Sequence, residues 1–106
     1  MKVRELLELV DAAKPNEITD SVKMHWINDV EGRAFCEIRG KDPKEFAPLM
    51  GEDGELSIPD AYAVTYQLYL TAMIELFAGN YTAYETVNAL YEAALATYAR
   101  YVIRNR

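Results

Sequence analysis

The sequence has a single cysteine and no excess of basic residues, and it lacks any long apolar run. One cysteine in 106 residues excludes an internal disulfide, and without a CxxC pair the usual signature of a zinc site is missing. No glycine-rich segment has the spacing of a phosphate-binding loop. The N-terminal apolar run is interrupted by Glu5 and Glu8, unlike a secretory signal, and nothing approaches the length of a membrane span. We therefore expect a soluble, intracellular chain without a metal or another cofactor.

Charge is also unevenly distributed. The chain has 17 acidic and 11 basic residues, which gives a net charge of −6. Residues 1–60 hold 14 acids and 8 bases, whereas residues 61–106 hold only 3 of each. The acidic first half argues against a surface that wraps nucleic acid. The sparse charge of the second half leaves little polar surface for helices that face water.

About half of the residues are apolar, which is enough for a folded core, and the length fits a single domain spanning residues 1–106. The spacing of Val3, Leu6, Leu7 and Val10 predicts an amphipathic first helix, which ends before Pro15. Thr19 or Asp20 is a suitable N-cap for a second helix. Its apolar face comprises Val22, Trp26, Ile27, Val30, Ala34 and Ile38, and Gly40 is the expected C-terminal cap.

Residues 40–58, GKDPKEFAPLMGEDGELSI, form the only long segment without helical periodicity. A connection of this length in a small domain is usually functional or disordered, and one expectation is that it becomes ordered only on assembly. Residues 55–58 favour a short extended piece. The acids of GEDGE do not have the spacing of a calcium loop, so a solvated turn is the simpler interpretation.

The remainder predicts a long helical hairpin. A third helix begins near Pro59 and Asp60 and ends near Ala78. Gly79 and Asn80 then serve as C-cap and N-cap, and a fourth helix covers residues 81–104. The predicted fold class is therefore all-α, with two amphipathic N-terminal helices, a long loop and a C-terminal helical hairpin.

The third helix is apolar nearly all round, with one polar stripe formed by Gln67, Thr71 and Glu75. A helix of this kind needs burial on every side, and three other helices in a chain of this size are expected to cover it only in part. We therefore predict that something outside the single chain contributes to its burial. The interface residues predicted here are Tyr62, Tyr66 and Tyr69.

The fourth helix carries tyrosines at seven-residue spacing. This spacing keeps Tyr84, Tyr91 and Tyr98 on one apolar face, with Tyr101 one turn later. Tyr84 and Tyr91 are expected in the core. Tyr98 and Tyr101 lie towards the end of the helix, where partners within one chain run short, and are predicted to lie between subunits. A seven-residue spacing could also indicate a two-stranded coiled coil, but tyrosine and alanine fill a coiled-coil seam poorly, so we do not expect one.

Catalytic residues are not indicated. His25, Asp29 and Cys36 share a face of the second helix, but Asp29 and Cys36 are about 10 Å apart along its axis, too far to share a metal ligand. The sequence therefore predicts no enzyme activity and no catalytic or metal-binding residues. Arg100, Arg104 and Arg106 cluster at the end of the fourth helix. They either compensate the helix dipole or form a basic surface for an acidic partner.

Two stretches carry a resemblance to a known family. The first is KPNEITDSVKMHWINDVEGRAFCEI, and the second begins at LSIPDAYAVTYQLYL and continues to Arg104. The matching positions are capping and aromatic ones: Asn16, Thr19, Trp26, Asn28, Asp29, Glu31, Pro59, Tyr62, Tyr66, Tyr69, Gly79, Tyr81, Tyr84, Asn88 and Arg104. In these positions the chain resembles the head–tail connector family (head completion or adaptor proteins) of tailed phages and Gram-positive prophages. The resemblance covers residues 14–39 and 56–104.

The resemblance implies an all-helical virion protein that forms a homo-oligomeric ring below the portal at the head–tail junction. Such a ring is built in the bacterial cytoplasm, extends the DNA channel and docks the next tail or stopper protein. Tyr98, Tyr101 and Arg104 would then lie at its interfaces. The acidic residues Glu52, Asp53 and Glu55 would line or rim the channel, through which DNA passes without specific binding. The alternative is a small helical adaptor or regulatory dimer without enzymatic activity.

Overall fold

The computed structural model describes residues 1–106, and its regular elements are helices, without a strand. Four α-helices cover most of the chain, which confirms the predicted all-α class. They are α1 (Val3–Ala13), α2 (Asp20–Arg33), α3 (Val64–Phe77) and α4 (Tyr81–Arg104). Short 3₁₀ turns lie at Pro43–Glu45 and Asp60–Tyr62.

The first two helices are joined by a tight polar turn. Thr19 is the N-cap of α2, and its hydroxyl accepts a hydrogen bond from the Val22 backbone N–H at 3.3 Å. The side chain of Asp11, in the last turn of α1, accepts from Asn16 at 3.2 Å and from the buried ammonium of Lys23 at 2.5 Å. These contacts fix the entry of α2 against the end of α1 and neutralise the buried lysine.

The second helix ends in a wider turn than its sequence predicts. Residues Ala34–Ile38 are π-helical, and the Arg39 N–H bonds back to the Ala34 carbonyl at 2.9 Å. The helix then terminates at Gly40, whose φ of 67° is the left-handed conformation expected of a glycine C-cap. The Arg39 side chain extends from this turn to α4, where it contacts Tyr98.

The segment of residues 40–58 is packed along α2 and α1. The Asn28 side chain donates to the Leu49 carbonyl at 3.0 Å and accepts from the Leu49 N–H at 2.8 Å. Further along, the Leu56 N–H bonds to the Met1 carbonyl at 2.9 Å. Leu56 and Ile58 are buried in the core. The extended piece predicted at residues 55–58 thus forms a single bridge, between Lys2 and Glu55, rather than a strand.

The third helix is central, and the single chain covers its middle turns. Its predicted start at Asp60 is a 3₁₀ turn, because the Tyr62 N–H bonds to Pro59 at 2.8 Å and the Ala63 N–H to Asp60 at 3.2 Å. The helices α1, α2 and α4 all pack against α3, and every residue from 65 to 76 is buried or half-buried. Val64 and Phe77, at the two ends of α3, are more than half exposed, and the contribution of a further partner stays a prediction.

The hairpin between α3 and α4 closes at Gly79. Its φ of 80° is left-handed, and the Asn80 N–H bonds to the Glu75 carbonyl at 2.9 Å. The positions predicted as caps are thus the ones at which the chain turns. Helix α4 then packs along α3 for most of its length.

Candidate functional site

Two tyrosines of α4, Tyr91 and Tyr98, each receive an arginine, one from the last residue of α2 and one from the end of the π-helical turn that follows it. Arg33 donates to the Tyr91 hydroxyl at 3.3 Å, and Arg39 donates twice to the Tyr98 hydroxyl, at 2.8 and 3.2 Å. Each guanidinium carbon also lies 5.8 Å from the centroid of the same ring. Tyr91 and Tyr98 are therefore buried rings whose polar ends are satisfied within the chain.

This placement corrects two predicted interface residues. Tyr98 is 3% exposed and Tyr66 is fully buried, so neither offers surface to another copy. The sequence argument failed for Tyr98 because Arg39 and the ring of Tyr62 (centroid distance 5.7 Å) reach it from distant parts of the chain. Tyr91 lies in the core as predicted, and Tyr84 is half-buried at its edge.

The other predicted interface residues keep some exposure. Tyr62, Tyr69 and Tyr101 are half-buried, and Arg104 is exposed. The rings of Tyr62 and Tyr101 are 5.1 Å apart and cover Tyr98 from outside. The three tyrosines lie at the border between the core and the surface, and the role of all four residues at an interface stays a prediction.

A buried carboxylate connects α2 to α3 and to the end of the loop. Glu31 is 6% exposed, and one of its oxygens accepts a short hydrogen bond from the Tyr66 hydroxyl. The other oxygen accepts from the Ser57 N–H at 3.1 Å, and the Tyr66 oxygen accepts from the Ile58 N–H at 2.9 Å. Burial, followed by the charge of Glu31, raises the pKa of Tyr66. These hydrogen bonds compensate for the burial of the Glu31 carboxylate, so the role of the network is structural.

Tyr69 forms a second polar contact between α3 and α2. Its hydroxyl donates to Asp29 at 3.3 Å, and its ring lies 4.8 Å from that of Tyr91. Burial, together with the nearby charge of Asp29, raises the pKa of Tyr69 to about 12. Asp29 is thus engaged by a tyrosine of α3. Cys36 is half-buried in the π-turn, and no cluster of His, Cys, Asp and Glu side chains has the arrangement of a metal site.

The acidic residues of the loop lie beside the start of α1. Arg4 pairs with Asp53 at 2.6 Å and with Glu52 at 3.7 Å. The side chains of Glu52, Asp53 and Glu55 remain 52%, 78% and 67% exposed. The loop therefore presents carboxylates to solvent while Arg4 holds two of them in place.

Large apolar side chains are exposed at the two ends of α4, and sequence reasoning missed them. At the hairpin, Phe77 and Tyr81 are 63% and 64% exposed, and at the other end Ile103 is 60% exposed. Phe77 makes an edge contact with Trp26, at 5.3 Å between ring centroids. The available signal was the apolar character of positions 77, 81 and 103, but only the packing shows that their own chain leaves them uncovered.

A groove lies beside Phe77, between the α1–α2 turn and the end of α3. We call it the hairpin groove; its volume is about 590 Å³, and its lining includes Pro15, Glu17, Ile18, Ile74, Glu75 and Phe77. Glu75 is 6% exposed, and its carboxylate pairs with the ammonium of Lys14. Glu17 is exposed and takes part in no ion pair within the chain. The groove thus combines apolar walls with carboxylates.

No helix of this fold combines the length and apolarity needed to cross a bilayer. Comparison with protein-family models, with curated protein sequences and with solved structures yields no match. A function for the chain is therefore argued from its residues and their arrangement.

Proposed function

We propose that this chain is a structural subunit of a head–tail connector of a tailed phage or prophage. In this role, copies of the chain assemble as a ring below the portal protein. The ring extends the DNA channel and docks the next tail or stopper protein. The chain then belongs to the head–tail junction of the virion, and it is assembled in the bacterial cytoplasm.

The observation that carries the proposal is the exposure of large apolar side chains at both ends of α4. Phe77 and Tyr81 lie at one end and Ile103 at the other, each more than half exposed. Single exposed apolar residues are common, but Phe77 lines a groove, and aromatic residues are enriched at protein interfaces. A subunit with contact surfaces at opposite ends suits repeated assembly, in which each copy touches two neighbours.

The rigidity of the fold supports the same role. Arg33 of α2 and Arg39 of the following turn form hydrogen bonds with tyrosines of α4. Glu31 of α2 accepts a hydrogen bond from Tyr66 of α3. A ring of identical subunits requires each subunit to present its contact surfaces at a fixed angle, because an angular error accumulates around the ring. The predicted interface residues that remain accessible border these helices; they are Tyr62, Tyr69, Tyr101 and Arg104.

The acidic loop fits a channel that DNA must traverse. Cationic side chains hold DNA by releasing the counterions of its phosphates, so a surface that DNA slides past benefits from carboxylates. Glu52, Asp53 and Glu55 are exposed, and Arg4 holds two of them near the start of α1. We place this loop at the inner wall or rim of the ring.

Native mass spectrometry across a concentration series, with negative-stain images of the largest species, tests the proposal. The measurement is made with the chain alone and with portal protein added. A closed ring, alone or on the portal, is the expected result. A species fixed at two copies under every condition would instead support the adaptor or regulatory dimer. A chain that neither self-associates nor binds portal protein would refute the connector.

A further inference from the structure

The last turn of α4 presents a basic and apolar face that its own chain leaves open. Arg100, Ile103 and Arg104 follow the i, i+3, i+4 spacing of one helix face, and all three are exposed. Neither arginine takes part in an ion pair within the chain. We call these three residues the arginine face. Its chemistry is an aliphatic anchor flanked by two guanidinium groups.

The hairpin groove has the complementary chemistry. Phe77 and Ile18 offer apolar walls, while Glu17 is exposed and free of ion pairs, and Glu75 lies at the groove with Lys14 as its partner. An isoleucine side chain can bury itself against Phe77, and a guanidinium can pair with Glu17 or stack on an aromatic ring. Lys14, which also lines the groove, offsets the charge of Glu75, so the match rests on the unpaired Glu17 carboxylate and the apolar walls.

One chain cannot bring the two surfaces together. Helix α4 has 24 residues, so it is roughly 36 Å long. The hairpin groove adjoins its first turn and the arginine face occupies its last, in a molecule whose longest extent is 38 Å. Contact between these surfaces must therefore join two molecules.

We propose that the arginine face of one copy docks in the hairpin groove of the next copy. This contact is heterologous, because each copy contributes a different surface to each of its two neighbours. Repeated head to tail, this contact closes into a ring or continues as a filament, whereas two antiparallel copies that each fill the other's groove would stop at a dimer and would not fit the connector. The inference rests on the proposed function, for which it supplies the subunit contact.

Two variants, each with one surface removed, test this contact by sedimentation velocity and native mass spectrometry. The first carries Ile103→Asp and Arg104→Glu, and the second carries Glu17→Lys and Phe77→Ser. Each variant alone is expected to associate about 30-fold or more weakly than the wild type, the loss typical of removing an interface hot spot. Mixed together, they retain one intact contact and should form a 1:1 pair that does not grow.

Matched controls separate the contact from general effects on folding. Leu90→Asp on α4 and Val64→Ser on α3 change side chains of similar exposure (54% and 51%) away from both surfaces, and should leave assembly unchanged. Circular dichroism and thermal unfolding establish that each variant is folded. A chain carrying both Glu17→Arg and Arg104→Glu keeps the ion pair with reversed polarity, and should recover most of the association that either change removes.

The outcomes separate this contact from the connector role. Unaltered assembly by both surface variants, or a mixture that gives no 1:1 pair, overturns the contact, while a ring that persists leaves the connector standing. A wild-type chain that stays monomeric at the highest concentration also overturns the contact, even if portal protein recruits it. A pair that forms only between the complementary variants, together with charge-reversal recovery, supports the contact.

Discussion

At the residue scale, tyrosine hydroxyls determine how the helices are joined. Tyr66, Tyr69, Tyr91 and Tyr98 all bury their rings at least in part, and each hydroxyl has a charged partner on α2 or in the π-turn that follows it. Phenylalanine would fill the same volume without these partners. The hydroxyls therefore fix the rotation of α2 relative to the hairpin, beyond the contribution of apolar burial.

Tyr66→Phe is expected to lower the free energy of unfolding by about 2 kcal/mol, because it leaves the buried Glu31 oxygen and the Ile58 N–H without their partner. Chemical denaturation of the purified chain measures this change. Tyr81→Phe is the matched control, since Tyr81 is 64% exposed, and it should change the value by less than about 0.5 kcal/mol. Equal values for the two variants would mean that the buried hydroxyl contributes nothing.

The raised pKa of Tyr69 predicts a loss of stability in alkali. Its folded-state pKa is about 12, against an ordinary value of 10.0, so above pH 10 the unfolded chain releases a proton that the folded chain retains. The stabilisation is complete below pH 10.0 and is lost as the pH rises towards 12. Tyr66 and Tyr91, whose pKa values burial also raises, act in the same direction.

Tyrosinate absorbance and circular dichroism, recorded together from pH 9 upward, measure this loss. Tyr69→Phe should make stability fall less steeply with pH, whereas Tyr81→Phe should leave the slope unchanged. A Tyr69→Phe chain with the slope of the wild type would contradict the assignment.

At the element scale, each helix ends at a residue suited to end it, and the loop is held by side chains of the helices. Gly40 and Gly79 close α2 and α3 with positive φ, and Thr19 opens α2. Asn28 pairs with the Leu49 backbone in both directions, as a neighbouring strand would. The loop is thereby kept beside α2 although it has almost no regular structure of its own.

Gly79→Ala is expected to destabilise the fold by about 1 kcal/mol, because a side chain at a φ of 80° is strained. No atom lies within 4 Å of an added Cβ there, so the effect isolates backbone strain from steric overlap. Thermal or chemical unfolding gives the value. Gly51→Ala is the control, since Gly51 has an equally open site without a positive φ, and it should be neutral or slightly stabilising.

At the scale of the whole molecule, acidic and basic side chains are concentrated in different regions of the surface. The acidic loop lies beside the start of α1, whereas Arg100, Arg104 and Arg106 occupy the end of α4. Arg106 donates to the Ile38 carbonyl at 3.1 Å, so one of these arginines is used within the chain while Arg104 remains exposed. Arg106 thus has a partner within the chain, whereas Arg104, in the last turn of α4, suits both interpretations of this cluster: compensation of the helix dipole and contact with a partner.

Replacing Glu52, Asp53 and Glu55 with lysine is expected to make the assembled protein bind duplex DNA, with an affinity that falls steeply as salt is raised. The control replaces Glu8, Asp20 and Glu85, which are exposed and lie outside the loop, so that net charge is matched. Fluorescence anisotropy with labelled DNA gives the affinities at several salt concentrations. Equal affinities for the two variants would argue against a channel position for the loop.

The sequence by itself determined the local features of this protein. Helical periodicity, the Thr19 cap and the glycines at positions 40 and 79 depend on residues within one or two turns of each other, so the all-α class and the hairpin were predictable. The acidic character of the loop at residues 40–58 was equally predictable, because it follows from the residues present there. The π-helical turn at Ala34–Ile38 was not predictable, because it departs from the 3.6-residue period of the α-helix on which the prediction relied.

Only the tertiary structure decided which surfaces are covered. Tyr98 was expected at an interface, yet Arg39, 59 positions earlier in the chain, reaches its hydroxyl. Helix α3 was expected to be covered only in part, yet α1, α2 and α4 leave no residue between 65 and 76 exposed. Conversely, Phe77 and Ile103 are apolar residues of the kind usually buried in a core, yet both are exposed to solvent. These outcomes depend on how distant segments pack together, which periodicity within a helix does not specify.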